Sequence, residues 1–343
     1  MPTVEIALLG AIAAGLGWGG WVSTRGCRRV EAECPPLGSF VHVEGERLHY
    51  LEQGAGAPVV LVHGASTNLR DLAISIQEPL AQRFRAISVD RPGYGYSTRR
   101  RGRWLDPAGQ ARLLHGALRD LGAERPILVG HSWAAALVLA YALEFPDEVG
   151  GVVTLCGATH PWPGGVALYR YLGALPVLGP LLSATLIFPL GMRMADAAVR
   201  FTLEPDPAPA DYRRKAGIDL LFRPGQFVAD AQDVSRLCAF LREQSPRYTQ
   251  LRVPLTIITG TRDRIVSPRL HSHALHAQVP HSKLIVLDGA GHAPHHHHRD
   301  AIVRAVAELG TQAQGSKSLA GAQSSNEDAR SGPNQRAAAR DSM

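Results

Sequence analysis

From Phe40 to about Gly310 the chain alternates short apolar runs, rich in β-branched residues, with longer segments whose apolar positions recur every three or four residues. The runs APVVLVHG, RAISVDRPG, PILVGHS, GGVVTLCGA, PLTIITGTRD and SKLIVLDGAGH are apolar throughout, not at alternate positions. That is the pattern of strands covered on both faces. Helical segments separate most of them: LRDLAISIQEPLAQRF, DPAGQARLLHGALRDLGA, AAALVLAYALEF, SPRLHSHALHAQV and RDAIVRAVAELG. Ahead of these, FVHVEG and RLHYLEQG, joined around Glu44-Gly45, read as an antiparallel hairpin at a sheet edge. The order predicts an α/β fold with a mostly parallel sheet and helices on both faces.

One connection breaks the rhythm. Residues 159–253, between the runs ending at Ala158 and starting at Pro254, are too many for an ordinary crossover and carry helical patterns of their own, VALYRYLGALPVLGPLLSATLIF and DYRRKAGIDLLF. They predict an inserted helical cap over the C-terminal edge of the sheet, where open α/β folds bind ligands. At the N-terminus, residues 4–22 (VEIALLGAIAAGLGWGGWV) form an apolar run long enough to cross a bilayer, followed at once by Arg25, Arg28 and Arg29. A cleavable signal would carry its positive charge ahead of the apolar run, so the segment reads as an uncleaved membrane anchor. The basic flank favours a cytoplasmic position for the catalytic-sized domain on its C-terminal side. The chain thus divides into an anchor and linker (1–39), a core in two parts (40–158 and 254–310) with the cap between them (159–253), and a polar tail (311–343) too poor in apolar residues to order itself.

Composition narrows the function classes. With 343 residues, 45% of them hydrophobic, the chain can bury an enzyme-sized core. A formal charge of +6 is spread along the sequence without aromatic-interleaved basic stripes, so no nucleic-acid partner is expected. Cys27, Cys34, Cys156 and Cys238 have neither zinc-site nor redox spacing, and no metal or cofactor is expected. His295 to His298 are consecutive, point in different directions and read as a solvated lead-in to a helix. The run from Arg99 to Arg103 reads as a solvated loop, with anionic lipid headgroups as a sharper alternative. His63 reads as a brace for its turn, and Asp90 as a structural carboxylate.

The strand ends carry the chemistry. Ser132 follows ILVGH and precedes a strong helix, one residue away from the G-x-S-x-G arrangement that holds a nucleophilic serine on a sharp strand-to-helix turn; Ala134 replaces the second glycine. A neutral serine needs a base, and His292 lies in the loop after the last strand. The base needs a carboxylate, and Asp263 lies just past the preceding strand. The backbone N–H groups of Ala65, after LVHG, and of Trp133 would receive a developing oxyanion.

These pieces, LVHGAS at 61–66, DRPGYGYS at 90–97, GHSWAA at 130–135, GTRDRIVSP at 260–268 and GAGHAPH at 289–295, resemble in kind and order the α/β-hydrolase fold superfamily of lipases, esterases and haloperoxidases. The resemblance covers about residues 40–310 and implies a Ser132, His292 and Asp263 triad with Ala65 and Trp133 as oxyanion donors. Epoxide hydrolases and haloalkane dehalogenases of that superfamily use aspartate at the nucleophile position, so Ser132 argues against both. The expected activity is hydrolysis of a hydrophobic carboxylic ester through an acyl-enzyme, with cap residues such as Tyr169, Leu175, Leu181, Leu186 and Phe188 either lining an acyl pocket or packing the cap on the sheet, packing being the default for any one of them. Cofactor-free haloperoxidase or perhydrolase chemistry and carbon-carbon bond hydrolysis would use the same triad. A non-catalytic interaction protein on the same fold would lack a triad member, and none is missing.

Overall fold

A computed structural model describes residues 2–100 and 102–311. The polar tail read from the sequence lies almost wholly outside the described residues, as does Arg101. The elements are α1 (Pro2–Glu33), β1 (Ser39–Val43), β2 (Glu46–Gln53), β3 (Pro58–Val62), α2 (70–81, with a π turn at its centre), β4 (Arg85–Val89), α3 (Pro107–Asp120), β5 (Ile127–His131), α4 (Ala134–Glu144) and β6 (Gly151–Leu155). The cap follows with α5 (Leu168–Ala174), α6 (Leu178–Leu203) and α7 (Pro224–Gln244). β7 (Leu255–Gly260), α8 (269–278), β8 (Lys283–Leu287) and α9 (299–311) complete the core.

The eight strands form one sheet in the order β1-β2-β4-β3-β5-β6-β7-β8. The β1–β2 hairpin and the β2–β4 pair are antiparallel, and every other neighbouring pair is parallel. Successive residues of one strand enter opposite cores: Val60 and Val62 pack with α4, whereas Val59 and Leu61 pack with α2 and α9. This two-sided burial is why the strand sequences are apolar at consecutive positions. Each such side chain contributes about 1.5–3 kcal/mol on leaving water. α4 is buried along almost its whole length, which explains its lack of any polar face.

Strand order reverses at β3, which lies between β4 and β5. Loops leaving β3 and β5 therefore diverge and open a crevice at the C-terminal edge of the sheet. The ends of β3, β5, β7 and β8 bring the sequence-derived candidates to that edge. Two differences from the sequence reading concern the first helix and the cap. α1 does not stop at residue 22 but runs to Glu33, and its second half packs on the cap through Val30 and Phe188. The cap also contains α7, a 21-residue helix that apolar periodicity did not single out.

Candidate active site

The turn after β5 is set by close packing. Ser132 has φ 52°, a left-handed conformation that costs a non-glycine residue energy and that surrounding structure must enforce. Its N–H donates to the Leu155 carbonyl at 2.9 Å and its own carbonyl accepts from the Ala158 N–H at 3.0 Å, so the turn is bound to the end of β6. A methyl group on Gly130 would stand 2.7 Å from both the Ala134 carbonyl oxygen and Val138 Cγ2. The close approach of helix to strand is thus made at Gly130. Ala134 is fully buried and its methyl is accommodated.

The loop after β8 doubles back across the ends of β7 and β6. A side chain at Gly260 would collide with the Ala290 backbone, and the Cys156 thiol donates to the Gly291 carbonyl at 3.6 Å. This path carries His292 to Ser132. His292 Nε2 lies 2.9 Å from Ser132 Oγ, and His292 Nδ1 lies 2.8 Å from Asp263 Oδ2. The other carboxylate oxygen of Asp263 accepts the N–H groups of Ile265 and Val266, each at 2.9 Å. Burial alone would raise the Asp263 carboxyl, but the imidazole of His292 and these N–H donors hold it below its ordinary value. Asp263 and His292 are buried while Ser132 remains half-open. Because an ionised carboxylate only accepts, Nδ1 carries the imidazole proton and Nε2 turns its lone pair to the hydroxyl. The arrangement can withdraw the serine proton.

The turn after β3 stands against the serine: a methyl on Gly64 would lie 3.0 Å from Ser132 Cβ. The next residue is Ala65, which packs with Trp133 in one apolar cluster. Neither the Ala65 nor the Trp133 N–H finds an acceptor among the described residues. His63 accepts the Arg91 N–H at Nε2 (3.0 Å) and therefore donates from Nδ1 to the Gly64 carbonyl (2.8 Å). Burial and the Arg91 charge push His63 down to about 4, so it stays neutral and braces the turn. Asp90 accepts from His49, Leu69 and Tyr96 at 2.6, 2.8 and 2.9 Å and serves the neighbouring loop.

The sequence reading missed a second support for the Ala65 turn, supplied by α7. Asp230 accepts the Ser66 N–H at 2.7 Å and the Ser66 hydroxyl at 3.0 Å, and it is paired with Arg170 of α5. Burial would raise its carboxyl, but Arg170 and the Ser66 donors keep it below the usual value. One turn on, Asp233 pairs with Arg91 and Arg99, each at 2.7 Å. The Arg91 guanidinium is sandwiched 4.1 Å from the Tyr94 ring and 4.0 Å from the Trp133 ring. Arg99 is thus an internal partner and not part of a solvated loop. The available signal was two carboxylates one turn apart on a cap helix, and nothing in their spacing identified Arg91, Arg99 and Arg170 as the partners.

The histidine run also differs from the sequence reading. His295 and His296 are not solvated: their side chains are buried and point at Asp71, 3.1 and 2.9 Å from its carboxylate, which also accepts the Tyr212 hydroxyl at 2.7 Å. A single short turn between β8 and α9 aims both rings inward. His131, the residue before Ser132, donates from Nε2 to the His292 carbonyl at 2.9 Å and so ties the elbow to the base. Donor atoms of Asp71, His131 and His295 lie within 4.8 Å of one another, the spacing a metal ion would need. Asp71 already accepts from Tyr212, His295 and His296, so the cluster is internally satisfied on the carboxylate side.

Residues 59–305 match the sequence model of the alpha/beta hydrolase family. Haloalkane dehalogenase 2 of Mycobacterium tuberculosis is 28% identical over 275 residues, covering 76% of this chain and 91% of its own. A putative aryl esterase from Burkholderia cenocepacia superposes with a TM-score of 0.66 at 18% identity, over 81% of this chain and 99% of that one. A membrane phospholipase A superposes with a TM-score of 0.59 at 18% identity, over 91% of this chain and 98% of that one.

Proposed function

The chain belongs to the alpha/beta hydrolase family, and from that premise we propose that it is a serine hydrolase that cleaves a hydrophobic carboxylic ester through an acyl-enzyme. His292 Nε2 takes the proton of Ser132 as the hydroxyl oxygen attacks the carbonyl carbon. Asp263 keeps the imidazole in the tautomer that can accept and stabilises the imidazolium that forms. The N–H groups of Ala65 and Trp133 receive the oxyanion, each such donor being worth about 3–4 kcal/mol in a water-poor site. The imidazolium then protonates the leaving alcohol, and water repeats the attack on the acyl-serine with His292 again as base. The observation that carries the reading is the pair of contacts at His292, 2.9 Å to Ser132 and 2.8 Å to Asp263.

The dehalogenase relative does not redirect this reading. Displacement of a halide by a carboxylate leaves an ester that water can cleave at its carbonyl. The same displacement by Ser132 would leave an alkyl ether with no carbonyl to attack, and turnover would stop after one cycle. The preference for a hydrophobic ester rests on the apolar α1, taken as a membrane anchor with the catalytic domain on the cytoplasmic side, and is in keeping with the name of the membrane phospholipase A neighbour. The test is a side-by-side assay of the purified full chain in detergent micelles against p-nitrophenyl esters, peroxide-dependent halogenation and a dienoate diketone. The reading requires ester turnover to dominate. Dominant halogenation or diketone cleavage would transfer the same triad to the other chemistry.

A further inference from the structure

Residues 4–15 of α1 are exposed on every face of the helix, including Val4, Ile6, Leu8, Leu9 and Ile12. From residue 16 onward one stripe of the helix is covered by the cap. Gly19 is pressed against the Thr185 backbone and Gly26 against the Phe188 ring, where any side chain would collide, and Val30 shares an apolar cluster with Ala195. These contacts rise together along both chains, so α1 and α6 run side by side in the same direction. The N-terminal half of α1 therefore projects past the start of α6. The residues from Pro2 to Trp18 span about 25 Å at 1.5 Å per residue, close to a bilayer's hydrocarbon thickness. Trp18 and Trp21 are both exposed where the covered stripe begins, with the Arg25 guanidinium 4.4 Å from the Trp21 ring. Aromatic rings followed by arginine mark a membrane-water boundary.

At that same end of the cap lies a shoulder formed by α5, the turn after it and the start of α6. Leu168 is 70% exposed, Val177 80%, and Tyr169, Leu175 and Leu181 about half. These include residues that the sequence suggested as pocket lining; the structure turns them outward. Between His160 and Arg193 the only charged residue is Arg170, and it turns inward to Asp230. The shoulder thus presents no outward charge beside a helix whose residues 6–22 carry none. A patch of this kind needs a cover.

We propose that this shoulder is a second membrane contact, seated in the headgroup-acyl boundary of the leaflet that α1 enters at Trp18 and Trp21, so that the cap of the catalytic domain rests on the bilayer. The proposal rests on the reading of α1 as an anchor. It gives the ester hydrolase a lipid-facing cap, and a substrate held in the bilayer can then reach the site without crossing water. The occupant is the lipid bilayer because the register of Gly19 on Thr185 sets the start of α6 level with about Ile12, on the membrane side of Trp18 and Trp21, and exposed tyrosines stand at the rim of the patch. A protein partner would have no need of that alignment.

The test uses the full chain reconstituted in phosphatidylcholine and phosphatidylglycerol vesicles, with Cys27→Ser and Cys238→Ser removing the partly exposed thiols and the buried Cys34 and Cys156 left in place. An environment-sensitive fluorophore is placed at Val177→Cys, at Ile12→Cys and at the exposed Glu124→Cys, near the start of β5 at the opposite sheet edge. Lipids carrying a spin label high on the acyl chain should quench the Val177 and Ile12 probes several-fold more than the Glu124 probe. Quenching at Ile12 but not at Val177 would overturn the shoulder contact while leaving the anchor. Quenching at neither would overturn both. A Val177 probe that is shielded from water, unquenched by lipid and dependent on the protein-to-lipid ratio would assign the face to a second copy of the chain and overturn the proposal. Functionally, Leu168→Asp combined with Val177→Asp should leave turnover of a water-soluble short-chain ester unchanged and lower turnover of a vesicle-embedded ester at least fivefold; an equal effect on both substrates would contradict it.

Discussion

Replacing Asp263 by Asn tests the assigned proton geometry with almost no change of shape. One carboxylate oxygen accepts two backbone N–H groups at 2.9 Å, and the other faces His292 Nδ1 at 2.8 Å. In the Asn variant the amide oxygen keeps the two backbone donors, because the amide nitrogen cannot accept them. The NH2 group is then left facing Nδ1, and it can only donate. Nδ1 must present its lone pair, the ring proton moves to Nε2, and Nε2 no longer accepts from Ser132 at 2.9 Å. Loss of the working tautomer and of the charge opposite the imidazolium should lower kcat by about 10⁴, equivalent to about 5.4 kcal/mol of barrier. The hydrogen-bond count at residue 263 is unchanged, so the unfolding free energy should move by no more than about 1 kcal/mol. Steady-state kinetics on a short-chain p-nitrophenyl ester and a denaturant titration read both quantities. A well-folded Asn variant that keeps more than a tenth of the wild-type kcat would refute the assignment. The same pair of proteins carries a pH signature. Asp263 has a depressed carboxyl, so its contribution is present above the ordinary carboxylate value near 3.9 and is lost as the pH falls through its folded value; the stability difference from the Asn variant should shrink on acidification below about pH 4.

Other consequences arise from particular contacts. Ala134→Gly should keep kcat/KM within about twofold and cost up to about 1 kcal/mol of stability, since glycine disfavours the helix it starts, whereas Gly130→Val should cost at least about 1–3 kcal/mol by driving α4 off β5; equal effects in thermal unfolding would misplace the close approach. Asp230→Ala should destabilise the protein by about 3–5 kcal/mol, because it leaves Arg170 buried without its partner, and Arg170→Met in that background should recover part of the loss; additive losses would deny the pairing. Deleting residues 2–17 should leave the fold intact and turn the protein from one that alkaline carbonate cannot extract from membranes into one that it strips off, since only the shoulder contact remains. A deletion reaching residue 29 should instead unfold or aggregate it, because it strips Gly19 and Gly26 from the cap; a deletion of 2–17 that still resists carbonate extraction would contradict the anchor.

The sheet and the triad candidates were legible because each depends on local pattern: an apolar run, a turn, and one polar residue just beyond it. Ser132, Asp263 and His292 each follow such a run, and the fold needs only strand order to bring them together. The Ala65 turn was legible for the same reason, but its support was not. The bond from Ser66 to Asp230 joins residues 164 apart and depends on how α7 crosses the sheet edge. No periodicity in the sequence encodes that crossing. His295 and His296 were misread because neighbouring residues in a regular helix or strand diverge, whereas an irregular turn aims both rings at Asp71. Tyr169, Leu175 and Leu181 were legible as apolar but not in direction, since composition does not tell a pocket wall or a packed interface from an exposed face.

The central claim, that Ser132 is an activated nucleophile, is tested most directly by labelling the full chain with a fluorophosphonate probe and locating the adduct by peptide mass. One stoichiometric adduct is expected, on Ser132, abolished in Ser132→Ala and strongly slowed in His292→Ala. An adduct on another residue, or ester turnover that survives in Ser132→Ala, would contradict it.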